Sequence, residues 1–104
     1  MALVKVGSIG DMAENTTRKL DVDGREIAVY FVCGRYYATD AICSHAYADL
    51  SEGWLDEDDC AVECPLHGSK FDLATGKART LPATQPIRTY AVALEGADIF
   101  IEVE

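Results

Sequence analysis

The chain has 104 residues, with 18 acids against 9 bases and a formal net charge of −9. That length suits one domain, expected over 1–104, able to bury roughly 60–70% of its unfolded surface. The acidic balance argues against nucleic acid, whose phosphates repel such a surface, and fits plain solubility or steering toward a basic partner equally well.

Leu3-Val4-Lys5-Val6 alternates and predicts a first strand. Ser8 to Glu14 predicts one helical turn capped by Ser8. Arg18–Val22 and Glu26–Phe31 flank Asp23-Gly24, a strong hairpin signal because both turn residues must take positive φ. A second hairpin turns at Cys33-Gly34 and returns through Tyr36-Tyr37-Ala38. Trp54-Leu55 and Ala61-Val62 predict a third, with the acids Asp56 to Asp59 in its turn. Lys70-Phe71-Asp72 then runs to a turn at Thr75-Gly76. Leu81 to Pro86 carries two prolines and is expected to be loop. Arg88–Leu94 and Asp98–Val103 predict a last hairpin around Glu95-Gly96. Short strands with a turn every eight to twelve residues predict an all-β antiparallel sandwich or barrel. No apolar run approaches the roughly 20 residues that span a bilayer, and the start MALVKVGSIGDM lacks a signal-peptide layout, so a soluble cytoplasmic chain is expected.

Between the second and third hairpins lies Cys43-Ser44-His45, and after the third lies Cys64-Pro65-Leu66-His67-Gly68-Ser69. Eighteen residues separate His45 from Cys64, and these hooks contain both histidines of the chain. Each hook offers one thiolate and one imidazole, a donor set for iron-sulfur or zinc rather than for magnesium or calcium. Structural zinc more often pairs Cys with Cys and His with His, so mixed hooks fit it poorly. Of the remaining cysteines, Cys33 falls in a turn and Cys60 begins a strand. A reducing cytoplasm makes a bridge between them unexpected, and both are read as bystanders.

The pattern C-x-H followed by C-P-x-H-G-S resembles the Rieske iron-sulfur domain, and nearly the whole chain resembles a Rieske-type ferredoxin of bacterial aromatic-ring dioxygenase systems. The resemblance implies one Rieske 2Fe-2S cluster held by two finger loops at one end of a β-sandwich. Cys43 and Cys64 would bind one iron, and His45 and His67 the other. Two ferric ions, two sulfides and two thiolates sum to zero charge, where an all-cysteine centre carries −2. An electron therefore enters more easily, and the potential rises. Gly68 would let backbone amides approach the cluster, and Pro65 would fix the second finger. Tyr47 is the aromatic residue expected nearest the cluster. Pro82, in Leu81-Pro82-Ala83, matches a family loop that covers the cluster's flank; a plain loop proline is the equal alternative. The histidine edges should be exposed and ringed by Ala46, Leu66 and Pro82. Trp54, Tyr36, Tyr37 and Tyr90 read as core or rim packing.

The high-potential branch of this family aims a serine hydroxyl at a cluster sulfide and a tyrosine at a cysteine sulfur. This chain has Ser69 but places Phe71 at the tyrosine position, which implies a potential in the lower part of the family's range. Respiratory Rieske subunits link their fingers by a disulfide, and the matching positions here are Ala48 and Leu66. Oxygenase subunits add a mononuclear iron held by two further histidines and a carboxylate, which this chain lacks the histidines to build. The implied role is therefore one-electron transfer without substrate chemistry. The electron would pass from a flavin-dependent, NAD(P)H-fed reductase to the terminal oxygenase of a biphenyl, naphthalene or carbazole type system. The alternatives are a Rieske accessory subunit in iron-sulfur assembly or nitrite reduction, and a zinc-stabilised interaction module.

Overall fold

The computed structural model describes residues 2–42, 49–65, 68–79 and 86–103. Among these residues ten strands follow in chain order. They are β1 (Ala2–Ser8), β2 (Thr16–Val22), β3 (Arg25–Val32), β4 (Arg35–Asp40), β5 (Trp54–Asp56), β6 (Ala61–Glu63), β7 (Lys70–Asp72), β8 (Thr89–Tyr90), β9 (Val92–Glu95) and β10 (Asp98–Val103). They pair into three antiparallel sheets, β1-β10-β9, β2-β3-β4-β8 and β5-β6-β7. The all-β expectation holds. No helix among the described residues is long and apolar enough to cross a membrane.

The hairpins form where local backbone chemistry demands them. Asp23 and Gly24 take φ of 53° and 82°, and Cys33 and Gly34 take 57° and 70°, so both turns match the right-handed twist of their strands. Asp21 braces the first turn by accepting the Gly24 amide at 2.8 Å. The turn after β1 is a 3-10 helix of only Ile9–Asp11, shorter than expected, with Ser8 in the N-cap position donating its amide to Asp11 Oδ2 at 3.0 Å.

Strand β3 is the middle layer. Ile27 and Val29 pack with Ile101, Val103, Ala38 and Tyr90 on one side. Ala28, Tyr30 and Val32 pack with Leu50, Val62, Cys64, Phe71 and Leu73 on the other. A strand covered on both faces reads as a continuous apolar run, and Ile27 to Val32 is one. Each such fully buried large side chain contributes about 1.5–3 kcal/mol of transfer free energy. Tyr30 keeps its hydroxyl partnered in this core through Thr39 Oγ1 at 2.8 Å, and burial pushes its phenol well above the ordinary tyrosine range.

Two expectations are corrected. The predicted strand 88–94 is two strands in different sheets: β8 pairs with β4, and β9 pairs with β10. The chain changes sheets at Ala91, whose carbonyl accepts the Glu102 amide at 2.9 Å. Alternation continues through such a corner, so periodicity does not reveal it. Cys33 and Cys60, read as bystanders, form a disulfide across Cα atoms 6.0 Å apart. Neither compartment nor local position measures the distance between these two turns. The fold brings the β3–β4 turn against the end of the β5–β6 turn, and the Asn15 side chain also donates to the Glu57 carboxylate there.

Candidate metal centre

The bases of both hooks are closed by backbone pairing. Ile42 and Asp49 form an antiparallel bridge, and the Leu50 amide donates to Ala41 at 2.6 Å, so the two residues flanking the first hook stand side by side. In the second hook the Cys64 amide donates to the Ser69 carbonyl at 2.7 Å and the Gly68 amide to the Cys64 carbonyl at 3.0 Å. Gly68 takes φ of 71°, which a side chain would oppose.

The loop bases are tied to one another. A Cβ on Gly53 would stand 2.1 Å from the Glu63 carbonyl oxygen, so only glycine lets the segment leaving the first hook lie against the strand entering the second. Glu63 pairs with Lys70, and the Arg79 amide donates to the Lys70 carbonyl at 2.7 Å. The segment that leads to the proline loop thus departs beside the second hook. The Ile87 amide donates to Gly76 at 2.8 Å where the chain returns.

Cys64 is fully buried and unbridged, packed in the core cluster with Val62 and Phe71. Ser69 is fully buried beside it. A buried, unpaired thiol at the head of a tight turn that exposes no side chain at Gly68 is chemically suited to an iron-thiolate bond, so these residues fit one side of the expected centre. Cys43, His45, Tyr47, His67 and Pro82 lie outside the described residues, as do Ala46 and Leu66 of the expected apolar ring. Among the aromatics expected to pack, Tyr90 is buried and Tyr36 stacks on Phe31 at 4.3 Å, whereas Trp54 is 62% exposed, contrary to that reading.

Sequence reasoning also missed an ion pair that braces the first hook. Lys19 Nζ on β2 reaches Asp49 Oδ2 at 2.6 Å, while Asp49 Oδ1 accepts the Ser51 amide at 2.9 Å. Burial alone would raise the Asp49 carboxyl, but the Lys19 ammonium and the Ser51 donors outweigh it and hold it below the ordinary carboxylate range. Nothing local marks the pair, since 30 residues separate the partners. A depressed folded pKa stabilises above the unfolded value, about 3.9, and that stabilisation is lost as pH falls through the folded value. Lys19→Met is therefore expected to lower the thermal midpoint at pH 7, with the gap to wild type closing as pH falls below the ordinary carboxylate range. Thermal melts across that range check it, and a gap independent of pH excludes the pair as its source.

The Rieske [2Fe-2S] domain profile matches residues 2–91, and the chain belongs to this family. Over 104 residues the chain is 45% identical to the ferredoxin component of biphenyl 2,3-dioxygenase from Rhodococcus jostii (strain RHA1), covering 100% of this chain and 95% of that protein. In structure it is similar to the ferredoxin of carbazole 1,9a-dioxygenase from Nocardioides aromaticivorans IC177, with a TM-score of 0.94, 33% identity and full coverage of both chains. It is also similar to a chain in a complex of reduced oxygenase and oxidized ferredoxin in carbazole 1,9a-dioxygenase. That match has a TM-score of 0.88 and 36% identity, covering 95% of this chain and 100% of that one. As a member of this family the chain carries one Rieske 2Fe-2S cluster.

The resemblance implies that Ser69 tunes the potential through its hydroxyl, an expectation that substitution tests directly. A hydroxyl aimed at a sulfide stabilises the reduced, more negative state more than the oxidised one. A differential of about 1.4 kcal/mol corresponds to roughly 60 mV for one electron. Ser69→Ala is expected to lower the potential by some tens of millivolts, read by voltammetry of the holo-protein. An unmoved wave means the hydroxyl serves only its own loop.

Proposed function

We propose that this chain, acting as a single domain over 1–104, is the soluble cytoplasmic one-electron carrier of a multicomponent aromatic-ring dioxygenase. It takes electrons from a flavin-dependent, NAD(P)H-fed reductase and passes them to the terminal oxygenase. The observation that carries this reading is full-length similarity to the ferredoxin component of biphenyl 2,3-dioxygenase. The closed base of the second hook, with its buried free thiol, supports it.

In this reading Cys43 and Cys64 hold one iron and His45 and His67 the other, with Gly68, Ser69, Tyr47 and Pro82 around them. The cluster supplies a reversible one-electron couple. The protein's part is to hold the donors without rearrangement. The paired loop bases and the Lys19–Asp49 brace fix Ile42 and Asp49, on either side of the first hook, and the core around Cys64 excludes water from the thiolate side. Rigid ligands lower the reorganisation needed at each transfer. The net charge of −9 adds long-range attraction toward basic partner surfaces.

Reconstitution tests the proposal. Purified reductase, NAD(P)H, holo-protein and terminal oxygenase should turn over an aromatic substrate, and turnover should stop when the holo-protein is omitted. An oxygenase that runs equally fast without it would sink the reading.

A further inference from the structure

The inner face of the β5-β6-β7 sheet is covered, because Leu55, Val62 and Phe71 pack into the core. On its outer face Ala61 is buried at the turn end, whereas Trp54 at the hook end stands 62% exposed. This is the chain's only tryptophan. Placing an indole in water forgoes the burial that usually draws tryptophan inward, and this side chain is prominent at protein interfaces. It is also placed close to the site, since Trp54 pairs across the ladder with Glu63, which immediately precedes Cys64.

The surroundings define the chemistry of what would cover it. Trp54, Asp56, Glu57, Asp58, Glu63 and Lys70 contribute to a shallow groove of about 280 Å³ that runs from the acidic turn toward the second hook. The one base, Lys70, is engaged by Asp56 at 2.6 Å. The groove thus presents an apolar plate within a net negative rim. Arginine matches both parts, because its guanidinium stacks on an indole face and pairs with carboxylates.

We infer that the outer face of β5-β6-β7, anchored by Trp54, is a docking surface for an arginine-bearing surface of the terminal oxygenase. The inference rests on the proposed function and adds to it a named anchor, beside the fingers rather than at their tips. A partner seated there lies next to the strand that leads into Cys64, so the indole sets orientation while the acids set the encounter rate.

Isothermal titration of holo-protein with the purified terminal oxygenase, at low and at moderate salt, tests it. Trp54→Ala should weaken binding at least tenfold at both salt concentrations, and Trp54→Phe should recover part of the loss. Glu63→Gln should weaken binding mainly at low salt. The visible spectrum and reduction potential of Trp54→Ala should match wild type, which separates lost docking from a damaged site. Affinity of Trp54→Ala within twofold of wild type overturns the inference, as does a loss seen with the reductase but not with the oxygenase. An oxygenase that binds through Trp54 yet is never reduced would remove the carrier reading and leave the docking surface standing.

Discussion

Replacing His67 by cysteine is expected to lower the reduction potential of the assembled cluster by hundreds of millivolts. The physical cause is charge. A neutral imidazole becomes a thiolate, so the electron enters a centre that already carries an additional negative charge. The two limits of ligand chemistry set the scale, since Rieske centres span about −150 to +300 mV and all-cysteine plant-type centres lie near −400 mV. A single exchange should cover a large part of that gap, and His45→Cys should act in the same direction. Protein-film voltammetry measures the shift, and iron and sulfide analysis confirms that a cluster is present. A potential equal to wild type would exclude the substituted histidine as a ligand. A cluster pushed below the reductase's own potential should also stop electron delivery, so dioxygenase turnover should fall with it.

The second large effect concerns stability. Cys33 and Cys60 are joined across a sequence separation of 27 residues. In the loop-entropy treatment, closing a loop of this size stabilises the fold by about 3–4 kcal/mol. The unfolding entropy of a chain near 100 residues converts that to a fall in thermal midpoint of roughly 10–20 °C. The Cys33→Ser, Cys60→Ser double variant is therefore expected to melt that much lower than the oxidised holo-protein at the same scan rate. Its visible spectrum at 25 °C should be unchanged, because the bridge joins the outer turns and not the hooks. Equal midpoints would show that the bridge contributes nothing.

These two predictions differ in where their evidence lies. The histidine proposal comes from two short stretches that contain both histidines, both hook cysteines and the flanking Pro65 and Gly68. The hairpins at Asp23-Gly24 and Cys33-Gly34 were legible for a similar reason. A turn that requires positive φ at adjacent positions selects its residues locally, whatever the rest of the chain does. The sequence marked Glu26–Phe31 only as a hairpin arm, and the structure shows that its apolar run is buried on both faces.

What the sequence left open depends on segments that meet only after folding. The Cys33–Cys60 pairing needs two turns from different sheets to touch, and a compartment argument does not measure that distance. Alternation runs through Ala91 without a mark, although the strand leaves one sheet and joins another there. Gly53 looks like any turn glycine until the Glu63 carbonyl is seen against it. The Lys19–Asp49 brace joins a surface strand to the end of the first hook, and neither residue is unusual by itself. Trp54 has the composition of a core residue, yet the pleat places Leu55 inward and leaves the indole outside. By itself, then, the sequence determined the family motif and the hairpin turns, which are local properties of a few adjacent residues. Tertiary structure alone decided how the loop bases are tied, which cysteines join and that Trp54 stays exposed, because each depends on contacts between distant residues.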